Sequence, residues 1–377
     1  MRKLLVLVGG TVFVDTMFFV ALTPLLPDYA ERFDLSKAGA GLLAAAYPAG
    51  ALVGGIPSGL ATARFGARRT TVTGLVIIAV TTFVFATGDS IWVLDASRFV
   101  QGFGSALAWT AGLAWLVSET PAERRGQTIG TAMATAIVGA LFGPVLGGAA
   151  SVVGEAAAFG AAGLLAISLA LWALTMHGPP PSTPQPLGVL LGALHSRRIL
   201  VGVWFVALPA LFFGTLGVLA PLRLEDLGYT AVAIGTLWLG TAALEAAANP
   251  VVGRISDRVG RLAPMRVSVF AGAVVAALMP WPDRGVVLAV LVVLAGVSFG
   301  SFWTPAMSLL TDEAERRGLD YAYAFALINL AWAPGQALGS SGGGALAQVT
   351  ADAVPYLLLA GSCLLTFAVL WRSRNSS

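Results

Sequence analysis

Long apolar stretches separated by short polar segments cover almost the whole chain. A membrane-spanning helix needs about 20 mostly apolar residues, and the chain holds twelve stretches of that kind. The predicted spanning helices cover residues 4–26, 38–60, 70–88, 91–117, 127–150, 153–176, 199–221, 231–252, 266–282, 285–310, 320–347 and 353–371. The pattern therefore predicts an all-α membrane protein with twelve transmembrane helices.

The first stretch, MRKLLVLVGGTVFVDTMFF, has the charged start and the apolar centre of a secretory signal peptide. The apolar run continues to Pro27, however, and no small-residue cleavage site follows it. We therefore predict that this segment is the first membrane helix.

Two sequence patterns occur twice along the chain. GLATARFGARR begins at Gly59, and GRISDRVGRLA begins at Gly253, 194 positions later. Glu-Arg-Arg-Gly occurs at 123–126 and again at 315–318, 192 positions later. The similar offsets predict a duplicated six-helix unit, an organisation typical of transporters whose halves move about a site at the bilayer midplane.

The longest polar connector, residues 177–198, is rich in proline and separates six predicted helices from six. We therefore predict two pseudo-symmetric six-helix bundles, residues 1–176 and 199–377, with residues 177–198 as a cytoplasmic linker. The apolar LGVLLGAL within the linker could lie flat in the membrane interface, although its composition favours a spacer.

Composition supports lipid as the surrounding solvent. The chain is 57% hydrophobic with a mean hydropathy of +0.83, and 11% of its 377 residues are charged, against about 25% in soluble domains. Cys363 is the single cysteine, so no intrachain disulfide is possible. Neither a basic stripe for nucleic acid nor a His/Cys cluster, an ATP-binding loop or a nucleophile–base pair is evident. We expect no cofactor, no metal and no enzymatic activity.

Lysine and arginine are distributed very unevenly between the two sides of the predicted helices. With the N-terminus inside, 17 of the 22 basic residues fall on the inner side, four on the outer side, and Arg98 within a helix. Because basic residues concentrate in cytoplasmic loops, we predict a multi-pass protein of the cell (inner) membrane with both termini cytoplasmic.

Three ionisable residues, Asp15, Arg98 and Glu245, fall inside predicted membrane helices. Such a group costs about 2.5–3.5 kcal/mol at a helix centre on insertion scales, so each needs a reason. The helical rise places Asp15 and Arg98 at depths about 6 Å apart, and we predict that they interact. Asp15 is the predicted proton site, because movement of Arg98 would change its affinity for a proton; a purely orienting ion pair is the alternative. Glu245 could bind a cationic cargo, act as a second proton site or extend toward the inner arginines.

Aromatic and polar residues share helix faces at the spacing expected for the lining of a large, partly apolar site. Single aromatic residues on these faces are more often packing residues than ligand contacts, so the prediction rests on the mixed faces. The predicted substrate-binding residues are Asp15, Phe18, Gln101, Ser105, Trp109, Trp204, Phe212, Trp238, Glu245, Phe302, Phe325, Asn329, Trp332 and Gln336.

These motifs resemble the major facilitator superfamily, and the similarity extends over essentially the whole chain. The two charged loops are similar to the family signature G-x-x-x-D-R-x-G-R-R, although the first copy has Ala63 where the family has aspartate. RFVQGFGSA from Arg98 resembles the arginine-glutamine-glycine motif of proton-coupled members. GALFGPVLGG, residues 139–148, resembles the G-P-x-x-G-G signature of antiporters, and the helix near residue 330 is loosely similar to vesicular amine transporters. Together these motifs resemble the twelve-helix drug:proton antiporter branch.

The resemblance implies roles for two further groups of residues. The charged loops would close the inner gate, although arginines that only enforce topology are the alternative, and the implied gating residues are Gly59, Arg64, Gly66, Arg68, Gly253, Asp257, Arg258, Gly260 and Arg261. The antiporter element would favour exchange over leak, and it comprises Gly143, Pro144, Gly147 and Gly148.

We therefore expect a monomeric secondary transporter whose partners are a small-molecule substrate, protons and the lipid bilayer, but not nucleic acid. The favoured function is proton-coupled efflux of lipophilic or cationic small molecules by alternating access. The alternative is transport of a sugar or another polar metabolite, either passive or coupled. A non-transporting receptor or scaffold is the third class, but the chain lacks the long soluble segment that would mark it.

Overall fold

The computed structural model describes residues 2–121, 124–181, 183, 185–259, 262–319 and 321–372. Helices dominate these residues, and no strand occurs among them. The helices are α1 (Arg2–Ala21), α2 (Leu26–Arg32), α3 (Lys37–Phe65), α4 (Ala67–Thr87), α5 (Ile91–Ser118), α6 (Arg125–Val153), α7 (Glu155–Leu174), α8 (Leu187–Leu194), α9 (Arg197–Asp226), α10 (Ala231–Val259), α11 (Leu262–Leu278), α12 (Gly285–Arg316), α13 (Tyr321–Val349) and α14 (Ala353–Arg372).

Each of the twelve predicted apolar stretches is helical. Ten spans among the described residues are long and apolar enough to cross a membrane. The first stretch is broken, because a 3₁₀ turn at Thr23–Leu25 separates α1 from α2. Pro24 has no N–H with which to continue the α-helical ladder, so the first span, Arg2–Arg32, contains an interruption that the prediction over 4–26 did not include.

Helix lengths repeat along the chain in the way the duplicated motifs predict. Helices α3 and α10 each have 29 residues, and their starts at residues 37 and 231 are 194 positions apart. Helices α6 and α13 also have 29 residues each, while α7 and α14 have 20 each. The fold is therefore an all-α membrane architecture of twelve transmembrane helices in two pseudo-symmetric six-helix bundles. The boundaries proposed at residues 177–198 stay a prediction.

The two bundles meet at the face opposite the chain termini, which we call the opposite face and which holds the starts of α3 and α10. The Lys37 ammonium lies 2.5 Å from the Asp352 carboxylate, and the Lys37 backbone N–H donates to Gln348 Oε1 at 3.1 Å. Close beside the ion pair, α3 and α13 pack backbone to backbone at Gly41 and Ser340. The bundles are thus joined by charge and by close packing at this face.

At the other face, which we call the terminal face, the connector after α7 is attached to both bundles. Arg68 Nη1 donates to the Met176 carbonyl at 3.0 Å. Gln185 Nε2 donates to the Gly318 carbonyl at 3.0 Å, and the Tyr323 hydroxyl donates to the Gln185 carbonyl at 2.7 Å. The connector is therefore fixed by polar contacts at its start and near its middle, ahead of α8.

Helix α8 lies within this connector and has two different faces. Leu190 and Ala193 are buried, whereas Leu187, Val189 and Leu191 expose their apolar side chains. Exposed apolar side chains on a short helix beside a membrane are typical of interfacial helices. Helix α8 therefore has one buried and one exposed apolar face, and the choice between an interfacial helix and a spacer stays a prediction.

Helices α3 and α5 cross with their backbones in contact, and glycine on each side makes this possible. A Cβ atom added to Gly50 would overlap the Phe99 carbonyl oxygen, and one added to Gly102 would overlap the Tyr47 carbonyl oxygen. Small residues at helix crossings are the usual way for membrane helices to approach closely. The crossing fixes the depth at which Tyr47 enters the N-terminal bundle.

We predict that Gly102→Ala lowers the thermal midpoint of the purified protein. The added methyl group forces α3 and α5 apart, at a cost of about 1–3 kcal/mol for an overpacked site. The matched control is Gly217→Ala in α9, where no atom lies within 4 Å of the added Cβ. There the higher helix propensity of alanine should stabilise the protein by about 1 kcal/mol. Equal midpoints for the two variants would contradict the tight crossing.

A second prediction concerns the ion pair at the opposite face. Lys37→Gln removes an interaction worth about 1 kcal/mol at a half-exposed site, so openings of this face become up to about fivefold more frequent. Alkylation of Ser340→Cys, at a buried position beneath the pair, measures these openings in a Cys363→Ala background. The exchanged pair Lys37→Asp with Asp352→Lys should return the labelling rate toward that of the parent, and a rate unaffected by Lys37→Gln would refute the prediction.

Candidate functional site

Asp15 lies in the middle of α1, is 4% exposed and accepts three side-chain hydrogen bonds. The Tyr47 hydroxyl donates to Oδ1 at 2.6 Å. The Ser105 hydroxyl and the Trp109 indole N–H donate to Oδ2 at 2.9 and 2.6 Å. A carboxylate accepts hydrogen bonds at both oxygens, so this arrangement stabilises the charged form at a depth where water is scarce.

Two helices supply the three donors. Ser105 and Trp109 are four residues apart on α5 and therefore lie on one helix face, as the sequence predicted. Tyr47 comes from α3 and was not predicted as a site residue. Its only sequence feature is an aromatic hydroxyl in an apolar helix, and its position beside Asp15 depends on the α3–α5 crossing.

Arg98 is 3% exposed and binds the end of α1. Its Nη1 donates to the Phe18 carbonyl at 3.1 Å and to Gln101 Oε1 at 2.7 Å, and Nη2 donates to the Phe19 carbonyl at 3.2 Å. The last carbonyls of a helix lack partners within it and carry partial negative charge. Arg98 therefore caps α1 immediately before the break at Pro24.

The predicted interaction between Asp15 and Arg98 is indirect. No ion pair within 4.0 Å joins these two described residues; Tyr47 stands between them. The Arg98 guanidinium carbon lies 4.8 Å from the centre of the Tyr47 ring, in cation–π geometry, while the hydroxyl of that ring binds Asp15. An estimate from helical rise compares two helices only, so it could not reveal an intervening residue from a third helix.

Gln101 completes the polar network on the α5 face. Its Oε1 accepts from Arg98, and its Nε2 donates to the Thr82 hydroxyl on α4 at 2.8 Å. Phe18, also predicted at the site, is 2% exposed and packs close to Arg98 and Gln101. Asp15, Phe18, Gln101, Ser105 and Trp109 are thus brought together as one group in the N-terminal bundle.

Glu245 lies in the other bundle, on α10, and the structure does not bring it to Asp15. Its half-buried carboxyl packs against Gly300 of α12, and Thr241 packs one turn away against Gly296. Within the described part of the chain, no hydrogen bond or ion pair reaches this carboxyl. Trp238 is half-buried on the same helix.

Trp332 connects the two bundles at the level of the site. Its ring meets Phe19 edge to face, with ring centres 5.2 Å apart. On the same helix, Gln336 and Phe325 are buried and Asn329 is half-buried. This part of α13 faces the end of α1 that Arg98 caps.

Three other predicted ligand contacts have different surroundings. Phe212 stacks on Phe299 with ring centres 3.9 Å apart, and Phe302 meets Phe205 edge to face at 5.7 Å, so both belong to the packed interior of the C-terminal bundle. Trp204 is 42% exposed and donates to the Thr366 hydroxyl of α14 at 2.9 Å. Trp204 lies apart from the Asp15 group, because helical spacing gives a face but not the neighbour of that face.

The first charged loop is a tight turn between α3 and α4. Gly66 has a φ of 86°, a conformation that glycine adopts readily, and Gly59 is buried in α3. Arg64 lies over the Phe65 ring at 5.7 Å, and Arg68 binds the connector. The structure does not describe the second copy in the same detail. Residues Gly260 and Arg261 lie outside the described residues, as do the surroundings of Gly253, Asp257 and Arg258.

The GPVLGG element of α6 packs against the break in the first span. Gly143 contacts Val20, and Gly147 contacts Ala21 and Pro24. The Pro144 carbonyl meets Gly235 of α10, and Gly148 meets Val232 of the same helix. The element therefore links the end of α1 to the C-terminal bundle. No group of three or more potential metal ligands occurs among the residues that the structure describes.

Comparison with known proteins identifies the family. Residues 8–340 match the family model described as Major Facilitator Superfamily. A chloramphenicol resistance protein of Streptomyces lividans is 30% identical over 341 residues, which are 83% of this chain and 82% of that protein. The MFS-type transporter ppzB of Metarhizium rileyi is 36% identical over 180 residues, but the match spans 46% of this chain and 37% of the relative's length.

A solved structure shows the same fold at low sequence identity. A D-xylose-proton symporter superimposes with a TM-score of 0.76 and 16% identity, covering 98% of this chain and 96% of the other. With the family model matching most of its length, this chain is a multi-pass membrane transporter that belongs to the Major Facilitator Superfamily.

Proposed function

We propose that this protein exports lipophilic or cationic small molecules in exchange for protons, by alternating access between its two bundles. Asp15 is the proton site in this proposal, and the single observation that carries it is the buried carboxylate held by three donors. The similarity to a chloramphenicol resistance protein, 30% identical over 83% of this chain, supports a lipophilic cargo.

Protonation of Asp15 disturbs its network for a chemical reason. The Trp109 indole N–H is a donor only, whereas a protonated carboxyl must itself donate a hydrogen bond. Neutralisation also removes the negative charge nearest to Arg98. Exchange follows when the protonated and ionised forms of Asp15 favour opposite openings of the bundles, because a ligand shifts such an equilibrium only through its different affinity for the two states.

The aromatic surface around the network suits a lipophilic molecule. Phe19, Trp332 and the Trp109 ring are half-buried around the level of Asp15. In contrast, the Gln101, Ser105 and Trp109 polar groups already bond to protein partners. A polar metabolite, the alternative cargo, would depend instead on the Asn329 and Gln336 amides of α13, which make no side-chain hydrogen bond within the described part of the chain. Glu245, which has no described partner, is the candidate for a cationic group of the cargo or a second proton.

We further propose that the protein is a monomer in the cell (inner) membrane with its terminal face in the cytoplasm. The uneven distribution of basic residues supports this orientation. The closed opposite face then lies outside, so the protein is closed toward the exterior. The first charged loop has Ala63 where the family signature has aspartate. Its role in closing the inner gate is therefore also part of the proposal.

The orientation predicts which exposed positions react from outside the cell. Asp89, whose side chain is 97% exposed, lies at the opposite face, and His195 is exposed at the terminal face. In a Cys363→Ala background, an impermeant maleimide added to intact cells should label Asp89→Cys, whereas His195→Cys should react only after the membrane is opened. The reverse pattern would overturn the proposed topology.

Asp15→Asn should abolish proton release on cargo binding. The measurement adds chloramphenicol or tetraphenylphosphonium to weakly buffered purified protein and records the pH change, with D-xylose as the polar comparison. The matched control is Asp95→Asn, because Asp95 is a half-buried acid on α5 that lies outside the Asp15 network. Proton release that persists in Asp15→Asn would exclude Asp15 as the proton site, and release on D-xylose alone would favour the alternative cargo.

A further inference from the structure

We propose that Tyr47 is the positioning residue through which the protonation state of Asp15 acts on Arg98 and on the end of α1. The inference rests on the proposed function, since it assigns the transmitting residue of the same site. Tyr47 lies outside every motif found in the sequence, and its role follows from its two contacts.

The two ends of the Tyr47 side chain bind different charged groups. Its hydroxyl donates to Asp15 Oδ1, and the face of its ring lies beneath the Arg98 guanidinium. The residue is 1% exposed, and its ring also packs against Phe19 with ring centres 5.1 Å apart. Because Gly102 is pressed against the Tyr47 carbonyl, the backbone has little freedom to carry the ring away.

The hydroxyl of Tyr47 is the group that must respond when Asp15 takes a proton on Oδ1. It is the single side-chain donor to that oxygen among the described contacts, since Ser105 and Trp109 both bind Oδ2. A phenol can either donate or accept. With a protonated Oδ1, Tyr47 must turn from donor to acceptor, and its own hydrogen needs another partner.

The ring carries this change to Arg98. A guanidinium over an aromatic face is held by the negative electrostatic potential of that face, which the nearby carboxylate reinforces. When Asp15 becomes neutral and the Tyr47 hydroxyl turns from donor to acceptor, the attraction between the Tyr47 ring and the Arg98 guanidinium weakens. Arg98 is then freer to change its contacts with the Phe18 and Phe19 carbonyls.

The end of α1 is well placed to pass the change on to the second bundle. Beyond the Arg98 cap, Ala21 and Pro24 pack against Gly147 of α6, and Pro24 also lies beside Gly235 of α10. Phe19 meets Trp332 of α13. A shift at the cap therefore reaches α10 and α13 of the C-terminal bundle.

A set of double-mutant cycles tests the transmitting role without any cargo. The non-additivity of Asp15→Asn and Arg98→Gln, measured as thermal midpoints, gives the interaction between the two residues. We expect clear non-additivity with Tyr47 present, less with Tyr47→Phe, and additive effects with Tyr47→Leu, which removes both ring and hydroxyl. Undiminished non-additivity with Tyr47→Leu would overturn the proposal.

Proton release gives a second readout with a variant that keeps the ring. We expect Tyr47→Phe to change the number of protons released per bound tetraphenylphosphonium at least about twofold, because the donor to Oδ1 is lost, and the affinity for the probe is measured alongside. The matched control is Tyr356→Phe, in which a buried hydroxyl without a hydrogen-bond partner is removed. Wild-type release in Tyr47→Phe would refute the role of the hydroxyl.

The two experiments separate failure of this inference from failure of the proposed function. If the wild-type protein releases no proton with either chloramphenicol or tetraphenylphosphonium, the proposed function fails. The thermal cycles still decide whether Asp15 and Arg98 interact through Tyr47. If wild-type release is normal and the cycles are unaffected by Tyr47, only the transmitting role fails.

Discussion

The close crossing of α3 and α5 is the constraint on which the candidate site depends. Gly50 and Gly102 allow each helix to press its backbone against a carbonyl of the other. In lipid, where apolar contact with a neighbouring helix gains little over contact with acyl chains, such packing supplies much of the association energy. The crossing presents Tyr47 to Asp15 on α1 and to Arg98 on α5, so a small backbone feature determines the polar chemistry.

Two opposite charges within the membrane are accommodated without a direct ion pair. Asp15 is stabilised by three donors, whereas Arg98 is stabilised by helix-end carbonyls, an amide and an aromatic face. A buried charge in lipid needs such partners, because water is not available to supply them. Each charge therefore has its own set of partners. The protein can neutralise Asp15 while the charge of Arg98 stays within the membrane.

The broken first span connects this polar group with the movement expected of the family. Pro24 interrupts the regular hydrogen bonding of the first span, Arg98 donates to the Phe18 and Phe19 carbonyls just before the break, and the glycines of α6 pack around it. The same break touches Gly235 of the second bundle. Local sequence features that look unrelated along the chain thus meet at one junction between the bundles.

The sequence by itself determined the membrane class, the twelve helices, the internal duplication and the shared face of Arg98, Gln101, Ser105 and Trp109, because hydropathy and helical periodicity are local properties. It also singled out Asp15 and Arg98 as ionisable residues within apolar helices. Tertiary structure decided which helix faces meet: it inserted Tyr47 between Asp15 and Arg98, turned Trp204 toward α14, and packed Glu245 against α12. These outcomes depend on contacts between residues far apart in the chain, which no local pattern encodes.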